Sequence, residues 1–173
     1  MMAGHPVNRD HNDDGFASDD AQAAPALTRE ELRQRALGWL ARRDYSRLEL
    51  QRRLMQAGGD ADAVAALLDD FCDRGWLSDL RFAESRTQAR QARTGTRRIA
   101  NELRELGVAD DIIQQTLAPL RDDEFARART LWQKKFGRLA ADAGERARQY
   151  RFLLSRGFPP DVVRRVVAAS EDD

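Results

Sequence analysis

The sequence predicts an all-α protein: an elongated tandem array of three-helix repeats, about fifty residues each, after a disordered N-terminal tail. Three observations predict it. A leucine stands four residues before a glycine in Leu54–Gly58, Leu103–Gly107 and Leu153–Gly157, and an aliphatic pair or run follows each glycine. Apolar residues recur at helical spacing from Thr28 onward, in segments closed by glycine. No alternating β-branched run of useful length appears.

The first unit opens on a capping box. Thr28 and Glu31 in "TREE" are spaced so that each side chain satisfies a free amide beside the other. Leu32, Ala36, Trp39 and Leu40 then fall at helical spacing. "SRLE" repeats the box with Ser46 and Glu49, sets Leu50 and Leu54 on one face, and ends at Gly58-Gly59. A third helix is predicted over roughly 62–74 through Val64, Leu67, Leu68 and Phe71, stopped by Gly75.

In the second unit Ser78 caps a helix over about 79–93, with Phe82, Ser85, Ala89 and Ala92 along its core strip. "TGT" at 94–96 breaks it. The next helix runs through Ile99, Leu103 and Leu106 to Gly107, and Ile112, Ile113 and Leu117 mark the one after. The third unit begins near Asp122 with Phe125, Ala128, Leu131, Trp132 and Phe136, breaks at Gly137, and resumes through Tyr150, Leu153 and Leu154. Pro159 and Pro160 stand at a helix entrance, where a missing amide costs nothing, and Val162, Val163, Val166 and Val167 follow. The units are thus 27–77, 78–120 and 121–170. Each is too small to bury its apolar faces well alone, so neighbours complete the core. At ~1.5 Å rise per residue each is ~20 Å across, and three in a row approach ~60–70 Å.

Composition narrows the function. Of 173 residues, 34% are charged, more than a compact globule needs, so much of the surface is solvated or faces a charged partner. No apolar run approaches the roughly 20 residues of a membrane span, and nothing resembles a secretory signal. A single cysteine, Cys72, excludes an intramolecular disulfide framework and fits a reducing, cytoplasmic setting. Residues 1–26 hold Asp10, Asp13, Asp14, Asp19 and Asp20 against Arg9 alone, so an acidic leader precedes a mildly basic body.

Catalysis is not expected. Both histidines, His5 and His11, lie in the leader, without the scaffold a metal site needs. No phosphate-cradling glycine loop precedes the only lysines, Lys134 and Lys135. The pairs Asp69/Asp70, Asp110/Asp111 and Asp122/Asp123 read as helix-start and surface acids. Cys72, beside Phe71, reads as a small core residue. No cofactor and no metal are expected.

What the chain does carry is arginine. Arg81, Arg86, Arg90, Arg93, Arg97, Arg98 and Arg104 face only Glu84 and Glu102 in their stretch, with Arg86, Arg90 and Arg93 in one row. A second patch holds Arg127, Arg129, Lys134, Lys135 and Arg138 with no acid among them. Two readings are open: an ordinary solvated face, or a surface for phosphates or an acidic protein groove. Under the second, the candidate partner- or DNA-binding residues are Arg81, Arg86, Arg90, Arg93, Arg97, Arg98, Lys134, Lys135 and Arg138. Aromatic residues are few and mostly on core faces, so base stacking is not evident.

"GWLSDLRFAESRTQAR" (75–90) resembles the Gly-x-Leu-x-Asp-x-Arg-Phe-Ala segment of the RecX family, here Gly75, Leu77, Asp79, Arg81, Phe82 and Ala83. "RRIANELRELGV" (97–108), "KKFG" (134–137) and "RFLLSRGF" (151–158) resemble that family's later hallmarks. The resemblance spans roughly 33–168 and departs at Gly59, where the family commonly has a bulky residue, as at Val108 and Phe158 here; a weaker hydrophobic lock in the first unit is the expectation. It implies a regulator that binds the RecA recombinase filament along its groove and suppresses its ATPase, strand exchange and growth; a monomer is expected. The alternative is a helical module that binds DNA directly, without RecA; weak DNA contact is compatible with both.

Overall fold

The computed structural model describes residues 27–169, so the acidic leader lies outside the described residues, as do 170–173. Within them are nine α-helices and no strand: α1 (Arg29–Leu40), α2 (Arg47–Gln56), α3 (Ala61–Asp73), α4 (Asp79–Arg90), α5 (Thr96–Glu105), α6 (Asp110–Asp122), α7 (Glu124–Lys135), α8 (Ala143–Ser155) and α9 (Pro160–Ala169). Both capping boxes form, Thr28 with Glu31 and Ser46 with Glu49. Ser78 accepts from the Arg81 amide to start α4.

The helices pack in threes around three separate cores. Leu32, Leu50, Leu54, Leu67 and Phe71 centre the first, Phe82, Ile99, Leu103, Ile113 and Leu117 the second, and Ala128, Trp132, Leu153, Phe158 and Val163 the third. The recurrent leucines Leu54, Leu103 and Leu153 are all fully buried. The recurrent glycines Gly58, Gly107 and Gly157 sit at φ +95°, +80° and +85°, the left-handed backbone that closes a helix and that side chains resist.

Three sequence expectations are corrected. On α4 the core strip is Phe82, Ala83 and Thr87, while Ser85, Ala89 and Ala92 are exposed; small residues suit either face, so spacing alone misassigned them. Cys72 is exposed, with Arg47 Nη1 3.6 Å from its sulfur. It lies one helical step beyond Phe71, and α3 spends its inward face on Val64, Leu67, Leu68 and Phe71. At Gly59, a Cβ would come within 2.7 Å of Val64 and 2.9 Å of Leu32. Those two side chains occupy the room that Val108 and Phe158 fill in later units, and the first core closes without a residue there.

The units meet end to end through two joints of one design. In each, the N-terminus of a unit's middle helix meets the glycine turn of the next unit. At the first, the Ser46 hydroxyl donates to the Leu106 carbonyl at 2.7 Å, and Asp79, which begins α4, accepts from the Arg47 amide at 2.8 Å. At the second, the Gly95 amide donates to the Arg156 carbonyl at 2.9 Å. Glu124, which begins α7, accepts there from the Thr96 amide at 2.7 Å and from the Thr96 hydroxyl at 2.7 and 2.9 Å. A carboxylate opening one unit therefore caps a helix of the unit before it, satisfying an amide that has no partner inside its own helix. This is the work of Asp79 in the Gly-x-Leu-x-Asp segment.

Candidate functional site

The nine cations singled out by sequence do not form one surface. Arg81 is structural: its guanidinium donates to the Gly75 and Trp76 carbonyls at 2.7 and 3.0 Å and pairs with Asp44 at 3.5 Å. Arg98 belongs to the second joint, donating to the Ser155 carbonyl at 3.1 Å. Arg86, Arg90 and Arg98 also converge on one carboxylate, Glu102, at 3.8, 3.2 and 3.5 Å. With its side chain only 17% exposed, Glu102 ties α4 to α5. The row Arg86–Arg90–Arg93 is therefore divided, two members turned to Glu102 and Arg93 exposed. Arg138 pairs with Glu145 at 2.8 Å. Arg93, Arg97, Lys134 and Lys135 are exposed and carry no ion pair to a described residue.

Arg97 opens onto a groove of about 620 Å³ beside the second joint. Arg97, Asn101 and Arg104 line it from one face of α5, and Gln114 and Arg121 from α6. The third unit closes one side with Pro159, Asp161 and Val162. Arg104 is held by Asp110 at 2.8 Å and Arg121 by Gln114, so both guanidiniums are oriented by exposed polar neighbours. Three arginines above a floor of Ala100 and Leu117 suit an acidic or phosphate-bearing chain. Lys135 and Arg138 lie apart from this groove, in a smaller hollow of about 250 Å³ shared with Arg148.

Sequence reasoning missed two of the groove's arginines as site residues. Arg104 stands seven residues, two helical turns, after Arg97, a signal that was available. Arg121 had none, since only the packing of α6 on α5 brings it across.

Arg127 lies beside Glu124, one of the groove's lining residues. It donates to the carbonyls of Gln91, Thr94 and Leu120 at 2.9, 3.2 and 3.1 Å and lies 3.7 Å from Glu124. Burial pulls this guanidinium below its ordinary value, opposed by the carboxylates of Glu124 and Asp123. Among the described residues no three His, Cys, Asp or Glu side chains are grouped to hold a metal ion, and no helix is long and apolar enough to cross a membrane.

Three family models match in chain order: the first three-helix domain of RecX over residues 28–71, the second over 78–117 and the third over 122–167. The chain is similar to the regulatory protein RecX of Chromobacterium violaceum, at 47% identity over 82% of this chain and 92% of that one. It is similar also to that of Ralstonia pickettii, at 43% identity over 82% and 89%. The crystal structure of RecX from Lactobacillus salivarius superposes with a TM-score of 0.75 at 20% identity, covering 84% of this chain and 97% of that one, a likeness of fold.

Proposed function

Because the chain belongs to the RecX family of regulatory proteins, we propose that it binds the RecA–DNA filament and restrains its ATPase, strand exchange and growth. The arginine groove at the second joint carries this reading. It lies between two units of a linear array, so a bound polymer is met at several points along the chain. Several weak contacts on one body reinforce one another through effective concentration. The test is a titration of the protein into preformed RecA–single-strand filaments while ATP hydrolysis is followed. The rate is expected to fall at substoichiometric protein; an unchanged rate at equimolar protein would remove the proposal.

The groove also supports the second reading, direct DNA binding. Neutralised phosphates release counterions, so that reading requires tight binding without RecA that weakens steeply with salt. The residues separate the roles. Reversing Arg97 and Arg121 to glutamate is expected to weaken filament binding at least about tenfold per cation, with helicity unchanged. Reversing Arg81 or Arg98 is expected instead to lower the melting temperature, because those guanidiniums hold backbone carbonyls. Circular dichroism melts beside filament-binding curves distinguish the two classes.

A further inference from the structure

Both surfaces that build the joints recur at the ends of the array. At the second joint the receiving groove includes Thr96, Arg97, Ala100, Asn101, Gln114 and Leu117. The same positions counted from the third unit's glycine are Arg146, Ala147, Tyr150, Arg151, Arg164 and Val167. These six line a groove of about 580 Å³ between α8 and α9, where no described residue of another unit enters. The inserted element recurs too. Each recurrent glycine is followed four residues later by an aspartate: Asp62 after Gly58, Asp111 after Gly107, Asp161 after Gly157. Gly107 and Gly157 are pressed against the preceding unit, by Leu48 and Arg98, whereas a Cβ on Gly58 would meet nothing within 4 Å. The Leu27 amide holds the Gly58 carbonyl at 3.2 Å and leaves Asp60 and Asp62 exposed.

We propose that the α8/α9 groove takes the α2–α3 turn of a second copy of this chain, so that copies associate head to tail. Charge agrees. Asp161 enters a groove lined by Arg97, Arg104 and Arg121 inside the chain. The α8/α9 groove carries its arginines at other positions, and Asp62 would meet the exposed Arg151 and Arg164, which stand where Asn101 and Gln114 stand at the second joint. Capping sets the strength of the contact. The internal joints include a carboxylate from the next unit, and α1 offers Arg29 where α4 and α7 offer Asp79 and Glu124. α8 keeps only its own cap, Asp142 accepting from the Glu145 amide at 2.8 Å, as Ser46 accepts from the Glu49 amide of α2. A joint without that carboxylate is weaker than the internal ones, and the chain is a monomer when dilute. Its two surfaces differ, so association does not close on itself. Copies held along a polymer would engage in succession, where effective concentration is high.

Sedimentation velocity of the full chain, up to on the order of 1 mM to reach weak contacts, provides the test. The wild-type protein is expected to grow beyond dimers as concentration rises. Arg151→Glu/Arg164→Glu, blocking the groove, and Asp62→Arg, blocking the turn, are each expected to raise the half-association concentration at least tenfold. Ala147→Trp fills the groove without altering charge. Mixed with Asp62→Arg, it leaves one sound groove and one sound turn, and the pair should form heterodimers that grow no further. A wild-type protein that stays monomeric throughout, or stops at a dimer, overturns the proposal. So does a mixture that fails to pair, or an Asp62→Arg chain that associates normally while the groove variants do not, which would give the groove to another acidic segment.

Discussion

Replacing Glu124 by alanine is expected to cost about 3 kcal/mol of stability. Glu124 is 3% exposed and accepts from both Thr96 donors, its amide and its hydroxyl, the latter between the two carboxylate oxygens. Alanine there leaves a buried amide and a buried hydroxyl unsatisfied. It also removes the carboxylate nearest the half-buried Arg127, whose remaining partners are carbonyls. Asp79→Ala at the first joint removes one cap from the Arg47 amide at a less buried place, and about 1 kcal/mol is expected. Glu124→Gln keeps the shape and loses the charge, so it should fall between. Urea unfolding of the three variants measures the order; equal losses for Glu124→Ala and Asp79→Ala would contradict a buried trans cap. Because the array depends on contacts between neighbours, the Glu124→Ala chain should also unfold less cooperatively, its third unit separating first.

A glycine series separates backbone conformation from contact. Gly58→Ala places a side chain at φ +95° in open space, and about 1 kcal/mol is expected from conformation alone. Gly95→Ala has an ordinary backbone, φ −76°, but its Cβ would lie 2.4 Å from the backbone of Gly157 and Phe158. Backbone cannot swing aside as a side chain does, so the second joint must shift, at about 2–3 kcal/mol. Gly157→Ala combines both penalties, with φ +85° and a Cβ only 2.2 Å from that of Arg98, and about 4 kcal/mol is expected. Gly107→Ala meets the Leu48 side chain at 2.7 Å, which has some freedom to move, and should rank below Gly157→Ala. Thermal melts give the ranking directly. If Gly58→Ala proves as costly as Gly157→Ala, the glycines act only through local conformation and the joints contribute little. Filament binding adds a second readout: opening the second joint displaces Asp161 and Val162 from the arginine groove, while Gly58→Ala leaves that groove intact.

The sequence by itself determined the helices, their caps, the triple repetition and the family. Those follow from local chemistry: Thr28 with Glu31 and Ser46 with Glu49 form boxes within one turn, and Leu54, Leu103 and Leu153 are buried wherever a helix of that phase packs inward. A charge imbalance was equally legible, since it is a count. Only the tertiary structure decided which cations are available. Arg86 and Arg90 look free along the chain, yet Glu102 of the next helix gathers both beside its own i,i+4 partner Arg98. Arg81 looks like a surface residue, yet it closes the turn before its own helix. Cys72 and the exposed alanines of α4 were misplaced for a related reason: a small side chain carries too little apolar area to fix which face turns inward. The recurrent glycines show the division most plainly. Their left-handed turn could be read from the pattern, but that Gly107 and Gly157 also seat a neighbouring unit while Gly58 does not depends on what another part of the chain brings to them. Local hydrogen bonding and periodicity act over a few residues and are written in order along the chain; pairing of charges and seating of turns act across space, and are set only when the three units stack.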